Sequence, residues 1–344
     1  MGRRLTTTAL WMGLTLLFCP RAAPASSRDI ILCGSGGDKT YEEKFAAWGT
    51  RLRKALLGQL GRSAEGIALL VESADRATTP ARVSDLETIR SVLKEAANQI
   101  GPEDDLFIYL VGHGSCWRNV SRFHIPGPDL TADELARLIE PIPARRLVVV
   151  NAASCSAGFI NALSRPGRII CTATKSVDEK NATEFIEYFL QGLEDGSADQ
   201  NRDERISVLE ACRQAAALTE ASYVGKGLIA TEHALLDDNG DGQGTRLVGD
   251  LQSDAPSDKS TTATAATTDR PDGALAAQCF LRDFMFPPTV PRDLVARYRS
   301  LLNRIEELKG KKSAMESGTY YATLETLLVE AAKAHREIRR AGSR

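Results

Sequence analysis

The chain has 344 residues, with 43 Lys and Arg against 45 Asp and Glu and a formal net charge of -2. No global field therefore draws it to nucleic acid or to an anionic membrane surface. Hydrophobic residues make up 43%, enough for one large core with a smaller appendage, and nothing beyond the first 25 or so positions reads as a membrane span.

Residues 1–25 read as an export signal. Arg3 and Arg4 supply the positive start, residues 9–18 an apolar run too short to cross a bilayer, and Ala23-Pro24-Ala25 a small-residue cleavage pattern. The expectation is an exported protein, periplasmic or secreted, with a mature chain from about residue 26 and no stable membrane span once the signal is removed.

The mature chain then alternates. Ile30-Ile31-Leu32-Cys33 is a short apolar strand ending in Gly34-Ser35-Gly36-Gly37, and residues 41–57 carry Phe45, Trp48, Leu52 and Leu56 at helical spacing. Ile67 to Val71 is a second strand, and residues 83–100 a second helix, started near Thr79-Pro80 and stopped by Gly101-Pro102. The apolar runs Leu106 to Val111 and Leu147 to Val150 suit strands buried on both faces. Between them Thr131 and Glu134 form a capping-box pattern that starts a short helix. Residues 168–174 are a fifth strand, 184–193 and 208–218 are helical, and 227–231 are expected as a last edge strand. Such alternation predicts a mostly parallel sheet covered by helices on both faces, a three-layer α/β sandwich over residues 26–249. Residues 250–277, rich in Ser, Thr, Ala, Asp and Pro, read as a disordered linker. Residues 278–344 read as a C-terminal helical hairpin, with one stripe through Leu294, Tyr298, Leu301 and Ile305 and another through Tyr320, Leu324 and Leu327. Its excess of basic residues, 12 against 7 acidic from position 291 on, reads as a solvated face.

Each of the two central strands ends in small polar residues, Gly112-His113-Gly114-Ser115 after the first and Asn151-Ala152-Ala153-Ser154-Cys155-Ser156-Ala157-Gly158 after the second. A strand-helix-strand crossover makes the strands parallel and brings His113 and Cys155 to the carboxyl edge of one sheet, where open α/β sheets carry their reactive groups.

These two strand ends resemble those of the caspase-like (clan CD) cysteine peptidases, most closely the legumain-like family, in which a His-Gly follows one core strand and the nucleophilic Cys the next. The resemblance implies a caspase-like fold and cysteine endopeptidase activity on a peptide or protein substrate, with Cys155 as nucleophile, His113 as general acid and base, and the backbone N-H groups of Gly114 and Cys155 as oxyanion donors. It equally leaves open a transpeptidase or transamidase, in which an amine releases the acyl group, and an inactive binding module of the same fold. Ser156 follows the Cys at the position that lies near the specificity pocket in the family, so an Asn or Asp preference is not implied. Asp178 and Glu179, in the loop after the fifth strand, would favour a basic side chain. Cys116 is a rival thiol, expected to line the loop or pocket. If Cys155 stays free, Cys33, Cys116, Cys171, Cys212 and Cys279 cannot all pair, and no disulfide is expected. The trailing hairpin is a candidate removable segment covering the site.

This chemistry requires no cofactor. One calcium loop is possible, with Asp199, Asn201, Asp203, Ser207 and Glu210 at its ligand positions but Glu204 where a glycine normally makes the turn. The alternative is that Ser207 and Glu210 simply cap the helix that follows. A second stretch, Asp237 to Gly244, lacks the closing Glu because Val248 stands there, and reads as a polar turn. His124, His233 and His335 have no partner at metal-ligand spacing. Nothing in the sequence sets the oligomeric state.

Overall fold

A computed structural model of the chain describes residues 27–76, 79–249, 271–283 and 289–342. The expected export signal and residues 250–270 of the expected linker lie outside them.

The described residues fold as a three-layer α/β sandwich. Its strands are β1 (Ser27–Cys33), β2 (Ile67–Val71), β3 (Arg82–Val83), β4 (Asp105–Val111), β5 (Gly114–Trp117), β6 (Val120–Phe123), β7 (Leu130–Thr131), β8 (Arg146–Asn151), β9 (Arg168–Thr172), β10 (Ile206–Ser207), β11 (Leu235–Asp237), β12 (Thr245–Arg246) and β13 (Phe280–Arg282). Its helices are α1 (Lys39–Gly58), α2 (Leu86–Gln99), α3 (Ala132–Ile139), α4 (Gly158–Leu163), α5 (Phe185–Glu194), α6 (Val208–Gly225), α7 (Arg292–Gly310) and α8 (Ser317–Gly342). The main sheet runs β12-β11-β9-β8-β4-β1-β2-β3, parallel from β9 to β3, with β11 antiparallel to β9 and β12 antiparallel to β11.

Strand alternation divides the core. Phe107, Tyr109, Val111, Val148 and Val150 face one side, under Phe45 and Leu52 of α1, Phe185 and Phe189 of α5 and Ala211 of α6. Leu106, Ile108, Leu110, Leu147 and Val149 face the other, under Ile89 and Val92 of α2, Leu135 of α3 and Phe159 of α4. Burial on both faces is why these strands read as unbroken apolar runs. Asp38, Asp85 and Thr131 cap α1, α2 and α3 through the N-H of Tyr41, Thr88 and Glu134, each supplying one of the orphan donors of a first turn.

Three expectations need correcting, and one element was not anticipated. Helix α2 begins at Leu86 rather than at residue 83, because Arg82 and Val83 extend the sheet as β3 and Asp85 is the cap. The sheet continues past β9 with β11 and ends at β12, not with residues 227–231, where Leu228 and Ile229 are exposed and take no ladder position. The start of the expected hairpin and the last seven residues of the expected linker belong to the body of the fold: Asp272, Ala276, Cys279 and Leu281 are buried, and β13 pairs with β10. A small antiparallel sheet, β5-β6-β7, follows His113 directly and was not foreseen.

The helical hairpin α7-α8 closes its own core around Tyr298, Leu301, Ile305, Tyr320, Leu327 and Ala331. Arg299 pairs with Asp283 at 3.2 Å. Arg299 and Asn303 line a cleft of about 480 Å3 together with Ser27, Asp105 and Arg146, which begin β1, β4 and β8. The hairpin therefore stands at the amino edge of the sheet, the opposite end from His113 and Cys155, and does not cover them. Among the described residues no helix is long and apolar enough to cross a membrane.

Candidate active site at the carboxyl edge

β4 and β8 pair in parallel, Tyr109 opposite Val150 and Leu110 opposite Asn151, so the segments carrying His113 and Cys155 leave the sheet side by side. Ser154 ties them together: its Oγ accepts the Gly114 N-H at 3.1 Å and donates to the Gly114 carbonyl at 3.1 Å. A Cβ on Gly114 would stand 2.5 Å from the Ser154 carbonyl oxygen and 2.8 Å from that of Arg122. The glycine beside the histidine is thus required by close approach of backbone to backbone.

The imidazole of His113 lies edge-on to Tyr41 and Phe45 of α1, with ring centroids 4.6 and 4.9 Å away. Burial lowers its pKa, the nearby His124 and Lys44 push the same way, and Asp38 opposes them. Cys155 sits at φ +53°, in the left-handed region that a side chain rarely adopts, and backbone held there costs about 1–3 kcal/mol. Burial raises the pKa of its thiol; Lys180 and the Cys116 N-H pull it down, and Cys116 and Asp178 add to the rise. Burial thus opposes the charged form of both groups and works against a preformed thiolate-imidazolium pair.

As the chain stands, two of the expected site features are engaged within the protein. Cys155 is only 2% exposed, because the loop after β9 crosses it. Its N-H donates to the Glu179 carbonyl at 2.9 Å, while the Gly114 N-H is held by Ser154, so neither expected oxyanion donor is free. Glu179 is also not a solvated selector for basic side chains. Its carboxylate accepts the Lys175 N-H at 2.8 Å and meets His233 Nδ1 at 2.5 Å, with 11% of the side chain exposed. His233, which sequence spacing left without a partner, thus anchors the loop over the thiol. Only the acidic character of 178–179 hinted at this, since the pair is separated by 54 positions.

Ser156 is fully buried. It bonds to the Thr174 hydroxyl at 3.0 Å and takes the Thr174 N-H at 3.1 Å, so it braces β9 rather than facing a substrate. Cys116 does line a cleft, as expected. That cleft, about 400 Å3 in volume, is bordered also by Ser121, Gly158, Asn161 and Val177, and Asp133 is the charged residue in its wall. Its volume is enough for a side chain of a bound peptide. His124 Nε2 bonds to Ser115 Oγ at 2.8 Å. The six described cysteines are free.

The five expected calcium ligands do not form a ligand set as they stand. Glu204 does adopt the left-handed turn at φ +66°, so the missing glycine is not the obstacle. Asp203 is instead occupied by the Arg205 guanidinium at 2.9 Å, Asp199 faces Arg282 at 3.6 Å, and Asn201 Oδ1 takes the Asp203 N-H at 2.8 Å. Ser207 and Glu210 make the reciprocal capping box that starts α6. Two guanidinium groups provide the charge balance a cation would supply. Among the described residues no three His, Cys, Asp or Glu side chains are gathered to hold a metal ion.

No family profile matches the chain, and no curated protein matches it. Solved structures do, among them protein GSU0716 from Geobacter sulfurreducens, with 10% identity, a TM-score of 0.41 and coverage of 62% of this chain and 92% of that one. A likeness so slight carries no argument about what the chain does.

Proposed function

We propose that the chain is an exported cysteine endopeptidase of caspase-like type, acting on a peptide or protein substrate through Cys155 and His113. The observation that supports this most is the Ser154-Gly114 bridge, which fastens the residue before the thiol to the residue after the imidazole at one edge of the sheet. In the proposed reaction Sγ of Cys155 attacks the scissile carbonyl carbon as its proton passes to His113. The tetrahedral intermediate collapses with transfer of that proton to the departing amine, leaving a thioester. Water, deprotonated by His113, then attacks the thioester and returns the thiol. The Gly114 and Cys155 N-H groups turn to the oxyanion once the Glu179 carbonyl and the Ser154 hydroxyl release them, each donor contributing a few kcal/mol. Export rests on the pattern of residues 1–25, and the Cys116 cleft is the place for a substrate side chain.

The loop over Cys155 favours a second reading, an inactive binding module of the same architecture. The two part on one experiment. Cys155→Ala is expected to lower cleavage of a mixed peptide library by about 10³-fold or more. Wild-type protein that cleaves nothing in that library, or a variant that cleaves as well as wild type, refutes the peptidase.

A further inference from the structure

The loop after β9 lies over Cys155 as a bound chain would. In acyl transfer the N-H of the nucleophilic residue faces the carbonyl oxygen of the bond under attack. Here the Cys155 N-H meets the carbonyl oxygen of Glu179 at 2.9 Å, so the protein's own backbone stands where a substrate's is required, with Glu179 as the residue on the acyl side. We propose, on the peptidase reading, that this loop is an internal substrate mimic, that the Glu179 side chain fills the subsite for the residue whose carbonyl is attacked, and that substrates carry glutamate there.

The place taken by the Glu179 side chain suits a carboxylate. Its Oε1 meets His233 Nδ1 at 2.5 Å, and its Oε2 accepts the His233 N-H at 3.3 Å and the Lys175 N-H at 2.8 Å. A carboxylate only accepts, so Nδ1 carries the proton of the first bond. The two side chains are 11% and 17% exposed, and hydrogen bonds to an ionised acceptor gain strength in such surroundings. The Lys175 N-H belongs to the loop and leaves with it. The two His233 donors stay, and they match the two oxygens of a glutamate. A glutamine would set its own N-H2 against one of them.

His233 is held independently of the loop. Two residues on, Leu235 pairs with Thr172 in the sheet. The residue before it, Glu232, is 2% exposed and takes the N-H groups of Glu184 and Phe185 at 2.8 and 3.1 Å, where α5 begins, and the Tyr223 hydroxyl at 3.1 Å. A donor pair fixed on both sides keeps its geometry when the loop lifts, which is the condition for a preorganised subsite.

Of the two expected oxyanion donors the loop engages Cys155, while the Gly114 N-H is held by Ser154. The Glu179 carbonyl is therefore a resting occupant that competes with substrate from within the chain, at the high effective concentration of a tethered ligand.

The test uses the whole mature chain carrying Cys155→Ala, which cannot cut, with and without Glu179→Ala, each checked for native circular dichroism. The probes are fluorescein-labelled Ala-Ala-Ala-Glu amide and its Gln and Lys counterparts, followed by fluorescence anisotropy. With Glu179→Ala the Glu probe is expected to bind about tenfold or more tightly than either counterpart, and more tightly than it binds with Glu179 in place. Adding His233→Ala is expected to remove the preference for Glu over Gln. No binding of the Glu probe, equal binding of Glu and Gln, or a preference that survives His233→Ala overturns the proposal. The probe comparison needs no His233 variant, so it decides the matter even if that variant does not fold. Acyloxymethyl ketones of the same peptides, applied to the Glu179→Ala chain with Cys155 intact, separate the two readings. Selective binding with no adduct on Cys155 counts against the peptidase alone, whereas adducts formed equally fast from the Glu and Gln reagents overturn the subsite.

Discussion

At Cys155 the site is a buried thiol in an unusual backbone conformation, and this sets a measurable pH dependence. Burial holds the thiol above its ordinary range and His113 below its own. Alkylation by iodoacetamide should therefore climb steadily with pH and still be climbing beyond about 8.5–9, the range of a free thiol. A plateau reached by pH 6 would instead show a preformed thiolate-imidazolium pair. Asp29, 1% exposed at the amino edge, is a second residue whose environment can be read. Burial raises its pKa from 3.8 to about 6, against Arg62, whose Nε lies 3.5 Å away, and the Tyr109 hydroxyl. Its folded pKa lies above the unfolded value, so the native state binds the extra proton. Its contribution to stability is full below about pH 4 and is lost as pH rises to about 6, about 3 kcal/mol in all. Asp29→Asn should flatten that part of the curve of urea midpoint against pH; an unchanged curve would mean that Asp29 titrates normally. Neither effect is visible in sequence, because burial of Asp29 and its contacts to Arg62 and Tyr109 are set by tertiary packing.

Among the elements, β4, α3 and β8 were legible from the chain alone. Their apolar runs, the Thr131 cap and the small residues after each strand place His113 and Cys155 at one sheet edge. What could not be read was the loop after β9. Its hold on Cys155 depends on a backbone carbonyl and on a carboxylate-imidazole pair between Glu179 and His233, and no local periodicity marks such a contact. The small sheet β5-β6-β7 was missed for a related reason: its strands are two to four residues long and carry the same polar residues as a loop. The strap gives a direct prediction. Glu179→Ala frees the Lys175 N-H and His233, loosens the loop and should raise the rate of Cys155 alkylation severalfold at pH 8. A rate equal to wild type or lower would show that the loop does not limit access.

For the molecule as a whole, composition located the change of character after residue 249 but overran it. Residues 271–282 look like more linker up to Ala277, yet Asp272, Ala276, Cys279 and Leu281 are packed against the sandwich, because burial there is decided by tertiary contacts to Asp238 and α6 rather than by local pattern. Truncation separates the two parts. A chain ending at residue 290 should keep the circular dichroism of the sandwich and its Cys155 reactivity, since the α7-α8 core is separate and lies at the opposite edge. A chain ending near 251 should lose stability by several kcal/mol, as expected when buried apolar side chains such as Leu281 are removed. Equal urea midpoints for the two truncations would contradict this division. The central claim is that Cys155 is a nucleophile served by His113, and it is tested most directly by intact-protein mass spectrometry after incubation with peptide acyloxymethyl ketones. The account predicts one adduct per chain, mapped to Cys155, absent in Cys155→Ala and formed at least about tenfold more slowly in His113→Ala. An adduct on Cys116, or labelling of Cys155 at the same rate without His113, would contradict it.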